Sequence, residues 1–164
     1  MSLVEQIDYR GKLREQFPAA AHRVVYSSSG MHIAAARVMN PTAVVNDSLY
    51  WAAAASEPEA HYLTAILNSP VTTTRVRPLM AFSKLERHIH KHVWKLPIPL
   101  FDGTNAVHRQ IADLGAAMER EVAAFNHSNR HFTSVRRALR KIVSESANGR
   151  EIDSLVTGIL GPAE

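Results

Sequence analysis

Apolar residues recur along this chain in two rhythms: short continuous runs in the first third, then spacings of three and four residues. The first rhythm predicts strands. His22 to Ser29 reads as one through Arg23-Val24-Val25-Tyr26, Ser27-Ser28-Ser29-Gly30 makes a turn, and Met31 to Met39 returns as a second strand, giving a hairpin. Asn40-Pro41 signals another turn, and the runs Ala43-Val44-Val45 and Leu49-Tyr50-Trp51 extend a small antiparallel sheet. Ahead of the hairpin, Leu3, Val4, Ile7, Leu13 and Phe17 sketch a weak helix interrupted by Gly11 and ended by Pro18.

The second rhythm predicts helices with identifiable starts. Ser56 can cap a helix whose Glu59 completes a capping box, with Pro58 tolerated in the first turn and Ala60, Leu63, Ile66 and Leu67 as the buried stripe. Asn68-Ser69-Pro70 then restarts a second helix with Ser69 as its cap. Met80 to Ser83 reads as loop, and His88 to Leu96 as a short element whose type the pattern leaves open. Leu96-Pro97-Ile98-Pro99 must be extended, because each proline disfavours helix at the residue before it. After the turn Asp102-Gly103-Thr104-Asn105, the clearest helix runs from Val107 to Phe125, with Val107, Ile111, Leu114, Met118, Val122 and Phe125 on one face. Phe132, Val135, Leu139 and Ile142 outline another, broken at Asn148-Gly149, and Ile152 to Leu160 forms the last before Gly161-Pro162. The expected fold is α+β, a small antiparallel sheet with packed helices. Residues 1–101 form a mixed domain and residues 102–164 a helical tail packed on it.

Composition narrows the chemistry. With 164 residues and 46% hydrophobic positions the chain can bury a core, and with no cysteine it has no disulfide, thiolate nucleophile or Cys-type zinc site. No apolar stretch approaches the roughly 18 residues of a membrane span, and Met1-Ser2-Leu3-Val4-Glu5 lacks the regions of a signal peptide, which predicts a cytoplasmic protein. Leu3 to Arg14 already looks like the middle of a domain, so the chain reads as a piece of something longer.

The formal charge of +4 is modest, but it is unevenly spread. Arg75, Arg77, Lys84, Arg87, Lys91 and Lys95 face a single acid, Glu86, so this window is more positive than the whole chain. Between Val122 and Ser144, Arg130, Arg136, Arg137, Arg140 and Lys141 are accompanied by no acid at all. The remainder is therefore net acidic. Clusters of this kind fit a polyanion, since each Lys or Arg that neutralises a phosphate releases condensed counterions; the alternative is a solvated basic face.

Among residues that could carry reactions, His88-Ile89-His90-Lys91-His92 stands out, because on a strand the three histidines share one face and could ligate zinc. Lys91, Arg87 and Lys95 would repel a dication and only Glu86 offers a carboxylate nearby, so phosphate or base contact suits the context better. Ser27-Ser28-Ser29-Gly30 has no nucleophile elbow around it and reads as a turn, although Ser27 and Ser28 beside Arg23 and Tyr26 could hydrogen-bond phosphates. Tyr50, Trp51 and Trp94 could stack on bases but are more simply core residues. No glycine-rich nucleotide loop, Walker sequence or His-Glu-x-x-His occurs, and no self-contained active site emerges.

Tyr62-Leu63-Thr64-Ala65-Ile66-Leu67-Asn68-Ser69-Pro70, a basic stretch, Leu96-Pro97-Ile98-Pro99 and His108-Arg109-Gln110-Ile111-Ala112 opening a long helix occur here in one order. That order resembles the target-recognition region of bacterial restriction-modification systems, found in C-terminal parts of N-6 adenine DNA methyltransferases and in type I specificity subunits. The likeness covers roughly residues 50 to 124, and Ile152-Asp153-Ser154-Leu155-Val156 looks like the closing helix of such enzymes. The resemblance implies a module that binds double-stranded DNA and sets sequence specificity. A separate catalytic domain or subunit would bind S-adenosylmethionine and transfer the methyl group. This chain departs from the catalytic pattern: Asn40-Pro41-Thr42-Ala43 lacks the aromatic of the Asn-Pro-Pro-Tyr motif, and the cofactor-binding glycines are missing.

The resulting expectation is a non-catalytic DNA-recognition module with no cofactor or metal of its own. Its first contacts are Arg75, Arg77, Lys84, Arg87, His88, His90 and Lys91, its second surface Arg136, Arg137, Arg140 and Lys141, with Arg23, Tyr26, Ser27 and Ser28 as further contacts. Two alternatives are a small metal-dependent hydrolase using His88, His90 and His92, and an assembly module using the apolar face of Val107 to Phe125.

Overall fold

The structure is a computed structural model and describes residues 8–82 and 87–161. The fold is α+β, as expected. Strands β1 (His22–Ser27), β2 (Ala35–Val38) and β3 (Leu49–Ala54) form an antiparallel sheet in the order β2-β1-β3. Val24 pairs with Arg37 on one side and Ala52 on the other. As the central strand, β1 is buried on both faces, which is why a continuous Arg-Val-Val-Tyr run stands there rather than an alternating one. On one face Val24 and Tyr26 enter a core with Ala54, Leu67, Val76, Ile89 and Val93. Tyr26 stacks on Tyr50 at 5.5 Å and meets the edge of Trp94 at 5.7 Å, and burial pushes its hydroxyl up to about 12.

Two amide side chains stand in for missing strands. Asn68 accepts from the Ala35 N–H at 2.9 Å and donates to its carbonyl at 2.9 Å, which covers part of the outer edge of β2. Gln16 does the same for Val45, at 2.9 and 2.8 Å. Ala43-Val44-Val45 is not a strand; the Val45 backbone is satisfied by the Gln16 side chain and the Ala43 N–H by the Asn40 carbonyl. Of the predicted N-terminal helix, Leu3, Val4 and Ile7 lie outside the described residues, and the described part is two 3-10 turns, Tyr9–Gly11 and Arg14–Gln16. The second strand is shorter than Met31 to Met39.

Helix α1 (Glu57–Asn68) begins as its capping box predicts. Ser56 Oγ accepts from the Glu59 N–H at 3.3 Å, and the Glu59 carboxylate reaches back to the Ala55 N–H at 2.6 Å. Ser69-Pro70 then starts α2 (Pro70–Val76). Met80 to Ser83 is not all loop, since the strands β4 (Ala81–Phe82) and β5 (Arg87–His88) pair as a two-stranded ribbon, and His90–Lys95 is a 3-10 helix.

Helix α3 (Ala106–Ala123) is capped by Asn105 and lies against α1. At their crossing a Cβ on Gly115 would sit 2.7 Å from the His61 carbonyl oxygen, so only glycine lets the backbones approach this closely. Ile111 and Met118 join Tyr62, Ile66, Ile152, Val156 and Leu160 in a second core. Helices α4 (Phe132–Glu145) and α5 (Ala147–Leu160) are joined at Ser146, whose Oγ caps α5 by accepting from the Gly149 N–H at 3.1 Å. Asn148-Gly149 therefore lies inside the first turn of α5 rather than at a break. Asp153 of α5 accepts from the Ser69 hydroxyl and from the Val71 N–H at 2.9 Å, capping α2 from outside.

Candidate nucleic-acid interface

Helix α4 is the most polarised element of the chain. Its Val135, Leu139, Ile142 and Val143 are half-buried, Ile142 and Val143 against the second core, whereas Arg136, Arg137, Arg140 and Lys141 are exposed. The Arg136 guanidinium lies 5.4 Å from the centre of the Phe132 ring, and Lys141 sits 3.7 Å from Glu145 one turn on. No residue of α4 is fully buried, so the helix rests on the molecule through a partial apolar stripe.

The two basic clusters of the sequence converge in part. His32, in the turn between β1 and β2, is held below its usual value first by burial and then by Arg140 and Arg77. Arg140 is itself lowered by burial and by Arg136. Arg77 at the end of α2 and Arg140 on α4 thus both act on His32. Beside it a groove of about 550 Å³ runs between β2, α1, α3 and the α4–α5 pair, with His32, Arg136 and Arg140 on its walls.

The other expected contacts fall elsewhere. Arg77 and Lys91 are exposed, as are Lys95 and Arg130. Arg75 is half-buried and occupied: it donates to the Leu160 carbonyl at 3.1 Å and to the Gly161 carbonyl, closing the C-terminal end of α5. Arg23 and Tyr26 are 0% exposed, and Arg23 donates to the Asn40 carbonyl at 2.8 Å, which removes both from any surface that a duplex reaches. Ser27 and Ser28 are half-buried, and their backbones are paired with Ala34, Ser48 and Ile89. Lys84 lies outside the described residues, as do the side chains of Arg87 and His90.

The histidine run does not form one strand face. His88 ends β5, Ile89 is buried, and His90–Lys95 turns into a 3-10 helix, so the alternation that would aim three imidazoles together is lost. Among the described residues no three His, Asp or Glu side chains gather as a metal site. The apolar face of Val107 to Phe125 is likewise no free docking surface, because Ile111 and Met118 are buried against α1 and α5.

Sequence reasoning missed His32 and a four-residue ionic cluster. Arg37 of β2, with its side chain 6% exposed, grips Glu119 of α3 at 2.7 and 3.0 Å and Glu57 of α1 at 3.0 Å. His61 lies 3.5 Å from Glu119 and 3.7 Å from Glu57, yet burial, followed by the adjacent Arg37, lowers its pKa. No local signal announces these partners, since Arg37 and Glu119 are distant in the chain. Among the described residues no helix is long and apolar enough to cross a membrane. Comparison with family models, curated proteins and solved structures gives no match.

Proposed function

We propose that the chain is a DNA-binding target-recognition module of a bacterial restriction-modification methyltransferase, and that its contact surface is centred on α4. The observation that carries this reading is the exposed row Arg136, Arg137, Arg140 and Lys141 on one helix. Arg77 and His32 stand beside that row, and the described residues set only Glu145 against it, through Lys141. Guanidinium groups on successive turns can bind phosphates and reach guanine edges, and Lys91 would add a further phosphate contact.

The order of the Tyr62 to Pro70, Leu96 to Pro99 and His108 to Ala112 segments supports assigning the module to adenine-specific systems. On this reading S-adenosylmethionine and the methyl-transfer step belong to a separate catalytic domain or subunit.

Duplex binding by the purified chain should weaken as salt rises, with log K falling by about 0.9 per phosphate contact for each tenfold increase in salt. Changing Arg136, Arg137, Arg140 and Lys141 together to Gln should weaken binding and make that slope shallower by about 3.6. Fluorescence anisotropy on a set of varied duplexes measures both. Binding that is absent, indifferent to salt or unchanged in the variant would overturn the reading.

A further inference from the structure

We propose that the groove between β2, α1, α3 and the α4–α5 pair binds one single-chain amphiphilic anion, of which a medium-chain carboxylate is the simplest member. Its volume of about 550 Å³ lies within the roughly 300–1,000 Å³ typical of small-molecule sites. Ile33, Ala65, Met118, Val122, Val143 and Ile152 give it apolar walls suited to an acyl chain. Water would be poorly accommodated against them.

The charge on the walls sets the sign of the occupant. Arg136 and Arg140 project from successive turns of α4, with His32 nearby across the groove wall. The one acidic residue on these walls, Glu119, has both oxygens on Arg37 and is not free to neutralise them. No described carboxylate forms an ion pair with Arg136 or Arg140. Two like-charged guanidiniums one helical turn apart on the groove wall gain from an anion held between them.

An inorganic anion would satisfy the arginines but leave the apolar walls empty, and a neutral alkane would do the reverse. An amphiphilic anion answers both.

Calorimetric titration of the full chain with octanoate, decanoate and dodecanoate below their micellar concentrations tests the proposal without any DNA. One molecule should bind per chain, about fourfold tighter for each added methylene until the groove is filled. Decanol should bind at least tenfold more weakly than decanoate, and Arg136→Gln with Arg140→Gln should bring decanoate down to the level of decanol. Leu139→Trp and Ala34→Trp each fill the groove and should abolish binding; whichever melts like the wild type is the one to read, so a folding defect in one leaves the test standing. Absence of saturable decanoate binding, affinity independent of chain length, or binding that survives both the arginine and the filling variants would each refute the site.

Discussion

Asp153 and Arg75 fasten α2 to α5 at opposite ends. The carboxylate of Asp153 takes the Ser69 hydroxyl and the Val71 N–H, while Arg75 takes the last carbonyls of α5. Each charge complements the helix end it meets, acid at the start and base at the finish. Asp153→Ala should therefore cost about 1–3 kcal/mol, since it leaves the first turn of α2 without an acceptor, and urea unfolding would measure the loss. Gly115 sets a steric limit of another kind. Alanine is favoured over glycine inside a helix by about 1 kcal/mol. Its Cβ, however, would sit 2.7 Å from a backbone oxygen and 3.1 Å from the Ala65 Cβ. Overpacking of that kind costs about 1–3 kcal/mol, so Gly115→Ala should lower the thermal midpoint, and an unchanged or raised midpoint would show that α1 and α3 can separate freely. The Ser56 cap and the Pro70 restart were readable from local sequence. The role of Arg75 was not: it was expected on DNA, and its partners lie at the end of another helix.

At the level of elements, α4 differs from its neighbours. Helices α1, α3 and α5 each contribute fully buried residues to a core, whereas α4 contributes none and holds on through half-buried Val135, Leu139, Ile142 and Val143. Stability is unevenly distributed in such an arrangement. Amide hydrogens in α4 should exchange with solvent faster than those of α1 and α3 under native conditions, as hydrogen-exchange mass spectrometry would show; equal protection would mean that α4 opens only with the whole fold. A duplex or an anion binding to α4 should slow that exchange. Periodicity located this helix correctly, because spacing and polarity are local properties. It misplaced the junction with α5, taking Asn148-Gly149 as the break when Ser146 is the cap, since a glycine in the first turn is indistinguishable in sequence from one that ends a helix.

The cluster of Arg37, Glu57, His61 and Glu119 joins the sheet to α1 and α3 and makes stability depend on pH. Glu119 is held below the usual carboxylate range first by its hydrogen bonds to Arg37, so its contribution is complete above about pH 4.3 and is lost as pH falls through the lower folded value. His61 is lowered chiefly by burial, so the folded state resists its protonation and stability declines as pH drops below about 6.5. Unfolding midpoints measured from about pH 8 to pH 3 should fall in two stages, with His61→Gln shrinking the upper stage, which His32 shares, and Glu119→Gln shrinking the lower. A midpoint that stays level down to about pH 4 in the wild type would contradict the His61 assignment. By itself, the sequence determined the α+β class, the Ser56 cap, the amphipathic helices and the existence of two basic clusters. Each depends on neighbours within a few positions, where spacing fixes geometry. Only the tertiary structure decided that Arg23, Tyr26 and Arg75 are spent inside the fold, and that the histidine run is broken by a 3-10 turn. The same is true of the meeting of His32 and α4 on the walls of one groove, because burial and convergence depend on how distant segments pack.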